Sequence, residues 1–92
     1  PRALGKEAEG DTVTVRLSAP VRTPDGKAPE LLEIAGEDRQ FVPAKAEIRG
    51  NTLRLSAEGV SCPAYARYAW TDWSDKVNVF GENGLPLEPF AI

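Results

Sequence analysis

The aromatic side chains of this sequence lie mostly near its end, and their types are those that bind carbohydrate or fill a core. Both tryptophans, both tyrosines and two of the three phenylalanines fall between Tyr65 and Phe90. An aromatic ring offers a large flat face that can stack on a sugar or on other core side chains. Tyr68, Trp70, Trp73 and Phe90 are therefore the candidate contacts for a sugar or for a neighbouring domain.

These four aromatic residues differ in how exposed the sequence predicts them to be. Tyr68 and Trp70 alternate with polar or small residues along one strand and share a face with Ala66, which favours core packing for both. Trp73 lies in the polar stretch "TDWSD", where burial is less expected. An aromatic residue there either caps the end of a β-domain or meets a partner.

Hydrolytic chemistry lacks its usual side chains here. The sequence has no histidine, so the Ser–His and Cys–His pairs that activate most nucleophiles cannot form. None of the four serines lies in a G-x-S-x-G elbow or a G-D-S block. The single cysteine, Cys62, cannot form an internal disulfide or hold zinc alone. We therefore predict no catalytic residue, no cofactor and no metal.

Three carboxylates near the aromatic cluster are the remaining candidates for chemistry. Asp72 and Asp75 flank Trp73, and Glu82 follows a short apolar run. Glycosidases use two carboxylates and calcium sites use several, but the residues do not match a calcium-binding loop. Acidic residues at this spacing are common in surface turns, so we interpret all three as solvated.

The composition excludes several classes of partner. The net charge is −3, and the eleven basic residues are scattered, whereas nucleic-acid affinity depends on clustered cations. No apolar run approaches the roughly 20 residues of a membrane helix. The opening residues "PRALGKEAEG" lack the pattern of a signal peptide. A chain of 92 residues is expected to form one domain, residues 1–92, with a thin core.

Short alternating runs separated by turns predict an all-β fold. In residues 12–18, Val13, Val15 and Leu17 share one face, and two similar runs surround a tight-turn signal at Gly50 and Asn51. Further strands are predicted in residues 30–36, 64–70 and 76–80 and at the end of the chain, with edges or breaks at Pro20 and Pro43. The spacing is typical of a single antiparallel β-sandwich, immunoglobulin-like or jelly-roll-like, of about seven or eight short strands.

Three ordered blocks in about the last sixty residues resemble the C-terminal end of sialate O-acetylesterase-like carbohydrate esterases of the SGNH type. The blocks are residues 33–36 with Phe41, Pro43 and Ala44; then residues 66–70; then Asn78, residues 84–86, Pro89 and Phe90. Leu32 and Ala66 depart from the pattern. The first thirty residues match only as a strand after an acidic linker.

The resemblance implies a division of labour between two domains. Such enzymes carry a hydrolase domain with an early serine and a late Asp-x-x-His element, and they remove O-acetyl groups from sialic acid or polysaccharide. This chain contains neither element, so the resemblance implies an excised, non-catalytic C-terminal sandwich whose aromatic tail leans on that domain. It also implies a secreted or periplasmic enzyme. The alternatives are a carbohydrate-binding module that uses its Trp and Tyr side chains, and a protein-interaction module with an exposed edge strand.

Overall fold

The computed structural model describes residues 1–23, 26, 29–69, 78–82 and 84–92, and within them the fold is all-β. The strands are β1 (Ala3–Glu9), β2 (Thr12–Leu17), β3 (Val21–Arg22), β4 (Leu32–Ala35), β5 (Val42–Pro43), β6 (Lys45–Arg49), β7 (Thr52–Ser56), β8 (Tyr65–Tyr68), β9 (Phe80–Gly81) and β10 (Phe90–Ala91). The predicted fold class is confirmed. The described residues hold ten strands rather than seven or eight, because four of them are only two residues long.

The strands form two four-stranded antiparallel sheets and one small ribbon. The first sheet has the order β1-β2-β7-β6, the second has the order β10-β8-β4-β5, and β3 pairs with β9. The chain passes from β5 at the edge of the second sheet to β6 at the edge of the first through Ala44 alone. This crossing places one edge of each sheet together on the same side of the sandwich.

The core lies between the two sheets and follows the alternation seen in the sequence. The first sheet contributes Val13, Val15, Leu17, Leu53 and Leu55, and the second contributes Leu32, Ile34, Ala66 and Tyr68. Arg16 and Arg54, on the opposite faces of β2 and β7, are exposed. The predicted period of two is therefore confirmed in the strands that carry the core.

The hairpin predicted at Gly50 and Asn51 is present and joins β6 to β7. Its two-residue loop has Gly50 at φ +60°, which is the geometry of a type II′ turn with glycine at its first central position. The side-chain amide nitrogen of Asn51, Nδ2, donates to the backbone carbonyl of Leu17 at 3.4 Å. Glycine is needed here because its left-handed backbone is disfavoured for side chains with a Cβ.

Two expectations about the chain are wrong. The opening residues are not a linker, since β1 pairs with β2 from Ala3 to Glu9. β1 is an edge strand and is largely polar. It therefore lacks the apolar alternation by which a strand is recognised in the sequence. The strand predicted over residues 64–70 is shorter, because it ends at Tyr68 and Ala69 turns into the core with φ 49°. Its amide donates to the carbonyl of Leu31, which is also left-handed at φ 66°.

Candidate functional site

Tyr68 and Phe90, two of the four predicted contact residues, lie in the core at one edge of the second sheet. They are direct partners in the pairing of β8 with β10, and their ring centroids are 6.0 Å apart with an interplanar angle of 30°. Paired residues of an antiparallel ladder point to the same face, which here is the inner one. Both rings are buried, so neither presents a face to a ligand of this chain.

The hydroxyl group of Tyr68 is enclosed without a full hydrogen bond. No partner with proper geometry reaches this oxygen within the part of the chain that the structure describes. Burial raises the pKa of Tyr68 to about 12, and the nearby backbone of Val79 offsets part of that rise. Tyr68 is therefore a core residue whose buried, unpaired hydroxyl group lowers the stability of the fold.

The other two predicted contacts, Trp70 and Trp73, lie outside the described residues, as do Asp72 and Asp75. Glu82 is exposed, as expected of a solvated turn residue. Within the described ranges, no group of three Cys, Asp or Glu residues is placed to hold a metal ion. The described residues contain no helix that could cross a membrane.

The outer face of the second sheet carries a half-buried group of charged and aromatic side chains. Nε of Arg67 on β8 donates to Oε1 of Glu33 on β4 at 2.8 Å. The same guanidinium lies over the ring of Phe41, with its carbon 3.9 Å from the ring centroid. Glu33 and Arg67 are paired in register, so the ladder itself sets this contact. The arginine thus links β8 to β4 and to the residue that precedes β5.

A second aromatic ring on β8, that of Tyr65, lies among cations. The guanidinium carbon of Arg39 is 5.1 Å from the Tyr65 ring centroid, and Nζ of Lys6 is 5.3 Å from it. Nη2 of Arg39 also donates to the Tyr65 hydroxyl at 3.5 Å, a long hydrogen bond. Arg39 comes from the loop after β4, and Lys6 comes from β1 of the other sheet. We call Lys6, Arg39 and Tyr65 the cation–tyrosine group.

An open cleft lies at one end of the sandwich, between residues 36–42 and residues 58–64. Three of its lining residues are acidic: Glu37, Asp38 and Glu58. Cys62 is exposed in the same wall. Asp38 already accepts the backbone N–H of Gln40 at 3.1 Å, and its carboxylate serves the turn. No lysine or arginine is among the residues that line the cleft. Its acidic side chains alone do not indicate which ligand it would bind.

Sequence reasoning did not propose Phe41, Arg67, Tyr65, Arg39 or Lys6 as site residues, although Phe41 and Arg67 belong to the blocks that resemble the esterases. For Tyr65 and Arg67 the sequence did hold a signal, because the alternation of β8 places both side chains on the face opposite the core. The positions of Lys6 and Arg39 depend on pairing between distant segments and on a left-handed residue in a loop, and neither can be seen in a local pattern.

Comparison with known proteins gives a strong structural match. No protein-family profile matches the chain, and no curated protein matches it significantly. Among solved structures, the chain is similar to a novel carbohydrate acetylesterase from Xanthomonas citri, with a TM-score of 0.92 and 26% sequence identity over 100% of this chain. The chain spans 22% of the length of that protein. The sandwich is therefore similar to one part of a much larger acetylesterase.

Proposed function

We propose that this chain is a non-catalytic C-terminal accessory domain of a carbohydrate O-acetylesterase. In this proposal residues 1–92 form one β-sandwich that packs on and supports an SGNH hydrolase domain of the same polypeptide. That domain removes O-acetyl groups from sialic acid or from polysaccharide, outside the cytoplasm. The observation that carries the proposal is the match of the entire chain, at a TM-score of 0.92, to 22% of an acetylesterase.

The chemistry of the residues supports a non-catalytic role. A serine esterase needs a base beside its nucleophile, and the sequence has no histidine. Cys62 is exposed, and the sequence offers no histidine to pair with it as a base. Ester hydrolysis would then have to come from a part of the polypeptide other than these residues.

Two exposed leucines support a contact with a neighbouring domain. Leu85 is 60% exposed and Leu4 is 54% exposed, and they are the large apolar side chains that stand out on the surface of the described residues. Leu85 belongs to the block, residues 84–86, that resembles the esterase tail. The nearby Leu87 is fully buried, so this segment places one leucine at the surface and one in the core. An exposed leucine beside an anchored one is suited to hold a second domain.

The direct test is the coding sequence around these residues. We expect it to continue upstream of Pro1 into a Gly-Asp-Ser block and an Asp-x-x-His block. In the full polypeptide, deletion of residues 1–92 should then lower the melting temperature of the hydrolase domain. An unrelated domain upstream of Pro1, or a hydrolase domain that is equally stable without these residues, would contradict the proposal.

A further inference from the structure

We propose that the cation–tyrosine group is a weak binding site for the carboxylate of an acidic sugar, such as a uronic acid. The proposed function supplies one element only, namely that a sugar carries the carboxylate. The preference for an anion comes from the side chains themselves. The binding site is distinct from the four aromatic residues predicted from the sequence.

Three distant segments converge to form this group. Lys6 lies on the edge strand of the first sheet, Arg39 lies in the loop between β4 and β5, and Tyr65 begins β8. Both cations approach one ring, so their separation cannot exceed the sum of 5.1 and 5.3 Å. An anion that contacts this ring would therefore be attracted by both positive charges.

The register of the first sheet explains how Lys6 reaches this position. Lys6 is paired with the fully buried Val15, and paired residues share a face of the sheet. Its side chain consequently starts on the inner side of the edge strand and extends across to the second sheet. A lysine in that place keeps its charge near Tyr65 instead of extending it freely into solvent.

Neither cation of the group has a carboxylate partner among the described residues. Arg49 pairs with Glu47, and Arg67 pairs with Glu33, both at 2.8 Å. No such ion pair is formed by Lys6 or Arg39 within the described ranges, although the chain has more acidic than basic residues. Two like charges on one ring repel each other, and an anion would remove that repulsion.

The backbone of Arg39 adopts an uncommon conformation within a closed turn. Its φ is 58°, a left-handed conformation that is uncommon for residues other than glycine, asparagine and aspartate. The Arg39 amide donates to the carbonyl of Gly36 at 3.0 Å, which closes the turn. The acidic residues of this loop, Glu37 and Asp38, line the cleft, and Asp38 is bonded to Gln40. Arg39 itself does not line the cleft, and it forms no ion pair with these carboxylates.

The donors of the group suit a carboxylate on a sugar ring. The guanidinium of Arg39 can give two parallel N–H bonds to a carboxylate, while Lys6 adds a compact point charge. The Tyr65 ring and hydroxyl can contact the sugar that carries the anion. Because the site is partly open to solvent, we expect a dissociation constant on the order of millimolar, weakened by salt.

Chemical-shift titration of the 92-residue chain tests this site. Sodium glucuronate is expected to shift the amide signals of Lys6, Arg39 and Tyr65, and glucose at the same concentrations is expected to leave them unchanged. The Lys6→Gln and Arg39→Gln variants should each weaken binding several-fold, and the double variant should abolish it. Arg49→Gln, which removes an exposed arginine elsewhere, is the matched control and should bind normally. Circular dichroism confirms that each variant is folded.

Several outcomes would overturn the proposal. Equal shifts with glucose would show that charge does not matter, and unchanged binding in the double variant would place the anion elsewhere. Acetate binding as tight as that of glucuronate would remove the role of the sugar. A flat titration would eliminate the site and leave the proposed function intact, because that function is tested by the coding sequence and by deletion.

Discussion

The guanidinium carbon of Arg67 lies 3.9 Å from the ring centroid of Phe41. The same group is ion-paired with Glu33 at 2.8 Å, with the two side chains only 23% and 29% exposed. Partial burial makes this pair less screened than one at the open surface, and the stacked ring adds a cation–π contact. The arrangement joins β4 and β8 to the residue that leads into the edge strand β5.

We predict that Arg67→Ala lowers the free energy of unfolding by about 1–2 kcal/mol, since it removes both the ion pair and the stacking. Arg67→Lys should recover less than half of the loss, because an ammonium group cannot stack as a planar guanidinium does. Urea unfolding followed by fluorescence measures both values.

Arg49→Ala is the matched control for this prediction. Its ion pair with Glu47 has the same 2.8 Å distance, but the side chains are 66% and 58% exposed. Exposed pairs contribute little, so the change should be below about 0.5 kcal/mol. Equal losses in the Arg67 and Arg49 variants would show that burial and stacking add nothing.

Tyr68→Phe is predicted to raise the free energy of unfolding by about 1 kcal/mol at neutral pH. The substitution removes a buried hydroxyl without a full hydrogen bond and keeps the ring that stacks on Phe90. A loss of stability of similar size would instead show that the hydroxyl is well bonded in solution. Thermal or chemical unfolding at pH 7 is sufficient for the comparison.

The pKa of Tyr68 also predicts how stability depends on pH. Its folded-state pKa of about 12 is above the unfolded value of about 10, because burial disfavours the phenolate. The contribution of this group is complete below pH 10 and is lost as the pH rises from 10 to 12. The difference in stability between the wild type and Tyr68→Phe should therefore widen, by roughly 1–3 kcal/mol, over that interval. A constant difference across the interval would contradict this assignment.

The type II′ turn between β6 and β7 gives a prediction about the backbone alone. A Cβ at Gly50 would meet nothing within 4 Å, so Gly50→Ala changes only the cost of the left-handed conformation at φ +60°. We expect a loss of about 1 kcal/mol, and a smaller loss for Gly50→Asn, because asparagine tolerates this region. An alanine variant as stable as the wild type would mean that the turn has another conformation in solution.

A substitution of the exposed Leu85 tests the proposed contact between this chain and a hydrolase domain. Leu85→Ser should change the unfolding free energy of the 92-residue chain by less than about 0.5 kcal/mol, because an exposed side chain loses no packing. In the proposed esterase polypeptide it should lower the melting temperature, because the proposal places Leu85 against the hydrolase domain. Leu87→Ala is the matched control, since this buried neighbour should cost about 2–5 kcal/mol in either context.

The sequence predicted the core strands well because their burial on one face imposes a period of two. Val13, Val15 and Leu17 are read directly from the pattern, and so are Leu53 and Leu55. The edge strand β1 was missed because an edge strand needs few apolar residues. The two-residue strands β3 and β9 are too short to show any period.

The candidate site was less predictable than the fold, because it depends on contacts between distant segments. Tyr68 and Phe90 were candidate contact residues; the core position favoured for Tyr68 from its strand face is confirmed, and Phe90, its partner on the same inner face, is buried with it. The group around Tyr65 requires the register of β1 against β2 and the left-handed conformation of Arg39. Neither property is encoded in the residues nearest to Tyr65 along the chain.

The most direct test of the account is the acetylesterase activity of the 92-residue chain itself. We predict that the purified, folded chain hydrolyses neither an aryl acetate nor an acetylated sugar above the buffer rate, because the chain has no histidine to activate a serine. Alanine variants of its four serines should be indistinguishable from the wild type in this assay. Turnover by the wild type that is abolished by any one of those substitutions would show that the chain is catalytic and would contradict the account.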